Sequence, residues 1–155
     1  MKRLIRLAAT LGAVGHAPLA PATAGSLVTA AIGWFLPVPA LPVALAWIAL
    51  GTAVAVWLCG EAEKELGHDA HPIVADEVVG QSLALLGAPH SLLAFGAAFV
   101  LFRIIDVWKP LGAHQAQALP GGFGVVADDV IAGLTSCAVL HLGLWGLARA
   151  GVAIP

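Results

Sequence analysis

The chain is poor in charge: only 10% of its 155 residues are Asp, Glu, Lys or Arg, against about a quarter in an average soluble chain. With 60% hydrophobic residues and a mean hydropathy of +0.95, it falls outside the range of a soluble domain of this size. Its length predicts one domain. The formal net charge is −2, and no basic patch with interleaved aromatics offsets it, which argues against nucleic acid as a partner. Cysteine is scarce too. Cys59 and Cys137 sit inside apolar runs without metal-ligand spacing and read as small core or lipid-facing residues. His16, His68, His71, His90, His114 and His141 show no spacing that demands a transition metal. Several reaction signatures are missing as well. There is no Cys-x5-Arg, no Asp-x-Asp, no Lys-x6-Arg-Pro and no alternating Asp pattern of a CDP-alcohol transferase. No Gly-x-Ser-x-Gly elbow suggests acyl hydrolysis.

What is present is a series of apolar segments punctuated by proline, glycine and a few charges. Residues 1–15 pair a basic start (Lys2, Arg3, Arg6) with an apolar run. That combination resembles a secretory signal with a small-residue site at Ala22-Thr23-Ala24, or a basic amphipathic stretch on a membrane surface. Five helices are predicted after it. They cover Ser26–Leu36, Val43–Leu58 running on to Leu66, Val78–Leu86, Ser91–Val107 and Val125–Ala148. Several fall short of the roughly 20 residues needed to span a bilayer, so tilted, broken or interfacial helices are expected. The fold class is an all-α, polytopic membrane bundle of about five short or tilted helices.

Parity then gathers the polar residues. If successive helices alternate in direction, Thr23 and Ser26, Asp76 and Glu77, Arg103, Asp106 and Lys109, and Asp128 and Asp129 all fall on one side. The turns at Pro37–Pro42 and Gly87–His90 on the other side carry no formal charge. Six of the seven Lys and Arg, all but Arg149, lie on the charged side, which the positive-inside rule makes cytoplasmic. The densest stretch runs from Phe102 to Pro110. Arg103 and Asp106 are a helical turn apart there, so they form either an interfacial anchor or part of a site.

Carboxylates crowded at a membrane boundary repel one another and are costly to desolvate. A hard divalent cation relieves this, and magnesium takes one or two carboxylates together with water and phosphate. Neighbours on a helix point about 100° apart, so one member of each pair, Asp76/Glu77 and Asp128/Asp129, is expected as a direct ligand. Two loops suit an anion. Pro18–Ser26 offers backbone amides and the hydroxyls of Thr23 and Ser26 where a helix opens. Gly121-Gly122-Phe123-Gly124 opens the last helix in the same way, although each loop also reads as a capped turn. Arg103 and Lys109 supply positive charge. The same intramembrane carboxylates also fit a small ion or proton-coupled transporter.

Four motifs in order carry a resemblance over about Gly15–Gly143. They are Pro18-x-x-Pro21-x-Thr23-x-Gly25-Ser26, Ile73-Val74-Ala75-Asp76-Glu77-Val78-Val79-Gly80, Phe102–Pro110, and Gly121 through Asp128-Asp129 to Gly133. The chain resembles the phosphatidylglycerophosphatase A family, departing from it at Pro21-Ala22-Thr23, where the family usually has Pro-Gly-Thr. The resemblance implies a magnesium-dependent hydrolase of the bacterial inner membrane. Such an enzyme removes the terminal phosphate of phosphatidylglycerol phosphate at the cytoplasmic face, with no obligatory protein partner. It implies Asp76, Glu77, Asp106 and Asp129 as catalytic residues and Asp76, Glu77, Asp128 and Asp129 around the metal. Arg103, Lys109, Thr23 and Ser26 would hold phosphate. Cleavage after Ala24 would remove Pro18, Pro21 and Thr23, so the N-terminal segment is expected to be retained as a surface segment.

Overall fold

The computed structural model describes residues 2–68, 70–109 and 113–152, the side chains of residues 113 and 114 excepted. Pro110 of the charged stretch, Asp69 and the His114 ring therefore lie outside the described residues. Every regular element among them is helical. The elements are α1 (Lys2–Ala9), a 3-10 turn (Val14–His16), α2 (Pro21–Phe35), α3 (Leu41–Leu66), α4 (Ala75–Ala84), α5 (Leu92–Trp108), α6 (Ala113–Ala116) and α7 (Gly122–Arg149).

The ends follow local chemistry. Pro21 stands at the first position of α2, where its missing N–H costs nothing and its φ is already helical. α2 therefore starts ahead of Gly25-Ser26, and those two residues lie inside the helix rather than opening it. Gly67 ends α3 at φ 96°, its amide bonding to the Glu63 carbonyl. Ser91 caps α5 by accepting from the Ala94 amide at 3.2 Å. Lys109 closes α5 in the left-handed conformation, φ 48°.

α3 and α7 are long and apolar enough to cross a membrane. At 26 and 28 residues they extend about 40 Å at a rise of 1.5 Å per residue, beyond a hydrocarbon core of about 30 Å. α4, at ten residues, reaches only about 15 Å and does not span. It is instead the most enclosed element, packed on α7 and flanked by α2, α3 and α5. α2 and α3, although joined by a short proline-rich turn, barely touch each other.

Two glycines set the α4–α7 crossing. A Cβ on Gly80 would come within 2.4 Å of the Phe102 ring and 2.9 Å of the Asp129 carbonyl, and one on Gly133 within 2.4 Å of the Gly80 carbonyl. Gly133→Ala should therefore push α7 off α4 at a cost of about 1–3 kcal/mol, as overpacking does. A drop in the thermal midpoint in detergent measures this, while Gly143→Ala, where an added Cβ meets nothing within 4 Å, serves as the control.

The two ends of the bundle differ as parity predicts. At the apolar end Trp34 stacks on His90 with ring centroids 4.3 Å apart, and the His90 ring contacts the Trp34 carbonyl. The His141 ring meets the Leu86 carbonyl at 2.9 Å. At the other end the starts of α2, α4 and α7 meet the end of α5. There α1 packs along α3, Lys2 lies 3.5 Å from Glu65, and the Ala9 carbonyl accepts from the Val74 amide.

Candidate active site at the charged helix ends

The first turn of α4 places Asp76 and Glu77 in the interior, with only 7% and 5% of each residue exposed. Glu77 faces α2 and α5. Its Oε2 accepts from Ser26 Oγ at 2.7 Å and from Arg103 Nη1 at 2.6 Å. Gly25 lets α2 close on the start of α4, since a Cβ there would lie 3.1 Å from the Val74 Cβ. The same Arg103 nitrogen reaches Asp106 Oδ2 at 3.2 Å and Ser26 Oγ at 3.3 Å. One nitrogen thus ties α5 to α2 and α4, while Nη2 and Nε of Arg103 have no hydrogen-bond partner among the described residues. Burial pushes the Glu77 carboxyl up to about 7, Asp106 adding to the rise while Arg103 and Ser26 oppose it.

On α7, Asp128 and Asp129 are both buried. Asp106, Asp128 and Asp129 each offer a carboxylate oxygen, and these oxygens lie within 4.8 Å of one another. Lys109 pairs with Asp128 across the α5–α7 gap. The left-handed turn at Lys109 ends α5 immediately before that reach. In both acidic pairs the first carboxylate accepts from the amide of the second residue, at 2.9 Å for Asp76 to Glu77 and 3.1 Å for Asp128 to Asp129.

Of the carboxylates gathered by parity, Asp106 joins Asp128 and Asp129. Glu77 is engaged by Arg103 and Ser26, and Asp76 is buried next to it, accepting from the Glu77 amide. Both members of the Asp128/Asp129 pair reach the group, where the 100° spacing pointed to one. The Arg103–Asp106 pair expected from their spacing is present, with Glu77 added. Ser26 bonds to Glu77 and to the Ala22 carbonyl at 3.0 Å, while Thr23 is half-buried in the first turn of α2. Gly122 serves packing: a Cβ there would lie 2.0 Å from the Val56 carbonyl, so it seats α7 on α3.

The group suits a hard divalent cation. Its donors are all carboxylate oxygens, as magnesium prefers, and Asp129 Oδ2 is buried with no hydrogen-bond partner. A buried carboxylate oxygen left so is costly unless something positive or donating meets it. Gln81, one turn beyond Glu77, is wholly buried, and both its amide oxygen and nitrogen lack partners. The sequence signal was a polar residue four after a carboxylate inside an apolar run, easily taken for a solvated position.

The family profile of phosphatidylglycerophosphatase A matches residues 7–144. A protein of Bacteroides thetaiotaomicron, described provisionally as a phosphatidylinositol-3-phosphatase, is 38% identical, covering 84% of this chain and 87% of its own. The phosphatidylglycerophosphatase A of Escherichia coli is 37% identical over 82% of this chain and 76% of its own. That of Haemophilus influenzae is 34% identical over 78% and 77%. No solved structure matches. With nearly the whole length matched, the chain belongs to the phosphatidylglycerophosphatase A family of phosphatases.

Proposed function

We propose that this protein hydrolyses the terminal phosphate monoester of phosphatidylglycerol phosphate in a magnesium-dependent reaction, at the cytoplasmic face of a bacterial inner membrane. The observation that carries this reading is the convergence of Asp106, Asp128 and Asp129 within 4.8 Å, edged by Arg103 and Lys109. Asp106, Asp128 and Asp129 would hold the ion, and Asp76 would support them from the first turn of α4. When bound, magnesium supplies positive charge against the negative charge of the phosphoryl group and polarises it toward attack by water.

The remaining work falls to the chain. Arg103 is fixed through Nη1, and its Nη2 and Nε edge is left to fork onto two phosphoryl oxygens. Lys109 adds a point charge at the mouth, exchanging Asp128 for phosphate. Glu77 and Ser26 hold the guanidinium plane in place, and Thr23 stands at the α2 start, where the first-turn amides favour an anion. Positioning and charge neutralisation supply most of the rate in phosphoryl transfer. The lipid's acyl tails stay in the bilayer.

Phosphate release by the purified protein in mixed micelles tests the reading, with phosphatidylglycerol phosphate compared with phosphatidylinositol 3-phosphate. Release should favour the first lipid, stop on chelation and resume with magnesium. Full activity in excess EDTA overturns the metal. Release from the inositol lipid alone overturns the substrate, and release from neither returns the carboxylates to an ion pathway.

A further inference from the structure

Behind α4 lie two apolar cavities of about 300 and 550 Å³. Trp47, Ile48 and Ser82 line both, so the two form one furrow bounded by α2, α3 and α4. It exists because α2 and α3 scarcely meet and α4 floors the gap. Among the described residues, no charged one lines it. On the α4 wheel Ala75, Val78, Val79 and Ser82 face the furrow, whereas Glu77 and Gln81 point the opposite way. The body of α4 therefore separates it from the carboxylate group.

We propose that this furrow binds one acyl chain of an anionic phospholipid, at a site distinct from the catalytic centre. The dimensions suit this occupant. From Leu58 to Leu41, the lining of α3 extends about 25 Å at 1.5 Å per residue, close to the thickness of a hydrocarbon core. A polymethylene chain, about 4–5 Å across by carbon contact distances, fits.

The charge of the headgroup follows from α1, which crosses one end of the furrow. Ala8 and Leu11 line the furrow there, and Leu4 and Leu7 continue the apolar face, exposed. Arg3 and Arg6 are also exposed, with no ion-pair partner among the described residues. A helix divided in this way lies in the membrane interface and favours anionic headgroups. The site is independent of the phosphatase reading, because nothing in it touches the carboxylates.

Quenching of Trp47 fluorescence tests it. The full chain in zwitterionic micelles is titrated with phosphatidylglycerol or phosphatidylcholine brominated at mid-chain, and the Trp47→Phe variant isolates the Trp47 signal. Quenching should saturate, at several-fold lower mole fraction for phosphatidylglycerol. A Cβ at Gly51 meets nothing within 4 Å, so Gly51→Phe should plug the furrow without a clash and abolish the saturable part at unchanged thermal midpoint. Arg3→Gln with Arg6→Gln should erase the preference for phosphatidylglycerol and spare the quenching itself. Saturable quenching that persists in Gly51→Phe, or a Trp47 signal insensitive to both lipids, overturns the site. Equal titrations by the two lipids in the parent protein overturn the anionic headgroup.

Discussion

Asp129→Asn should lower kcat by more than 100-fold, as an order-of-magnitude expectation, while the metal-free protein becomes no less stable. Asn keeps the shape of the side chain, so packing against α4 is preserved. What changes is one charge in a group whose oxygens lie within 4.8 Å of each other. Without a cation those carboxylates repel, and removing one charge relieves the repulsion. With a cation, a ligand charge is lost. Groups that only orient a metal's ligands typically cost about 10–100-fold when changed, and Asp76→Asn should fall in that range. The pair is read by phosphate release against magnesium concentration and by thermal unfolding in EDTA. Near-normal kcat in Asp129→Asn would remove the residue from the metal group. A large loss of stability in EDTA would make its role structural.

The second large effect is expected at Arg103. Its Nη1 serves Glu77, Asp106 and Ser26 together, and a lysine can keep a charge beside Glu77. If holding three helices were its only task, Arg103→Lys would be tolerated. The unpartnered Nη2 and Nε edge argues for a bidentate hold on phosphate, which an ammonium cannot reproduce. The variant should therefore keep its thermal midpoint while kcat/KM falls about 10-fold or more, about 1.4 kcal/mol of transition-state binding. Lys109→Arg, which preserves a point charge at the mouth, should lose less. Wild-type kinetics in Arg103→Lys would return that residue to a purely structural role.

Much of this arrangement was legible in the sequence because it depends on period and punctuation. Apolar runs between Gly67, Ser91 and the glycines before Val125 placed the five principal helices to within a few residues, and direction reversal brought their charged ends together. What the pattern could not give was rotation about each helix axis. Whether Glu77 or Asp106 joins Asp128 depends on how α4 and α5 turn against α7, and Phe102 lying on Gly80 fixes α5 against α4. That contact joins residues far apart in the chain and has no local signature. The glycines misled for the same reason. Gly25 and Gly122 look like anion-loop residues, yet their missing Cβ atoms admit Val74 and the Val56 carbonyl. Gln81 hid in an apolar run, because only packing shows that its amide is sealed from water.

The enclosure of α4 has a consequence for how the molecule is made. A ten-residue segment carrying two adjacent carboxylates is too short and too polar to be taken into a bilayer as a span during synthesis. Its main support, α7, is the last of the described helices to leave the ribosome. Until then α4 waits at the boundary with its carboxylates hydrated, and Asp128 and Asp129 do not yet exist. Assembly is thus ordered by synthesis: α3 inserts first, and α4 is drawn in when α7 arrives. On the proposed reading, a nascent chain halted before α7 lacks Asp128 and Asp129, so hydrolytic competence would wait for that helix.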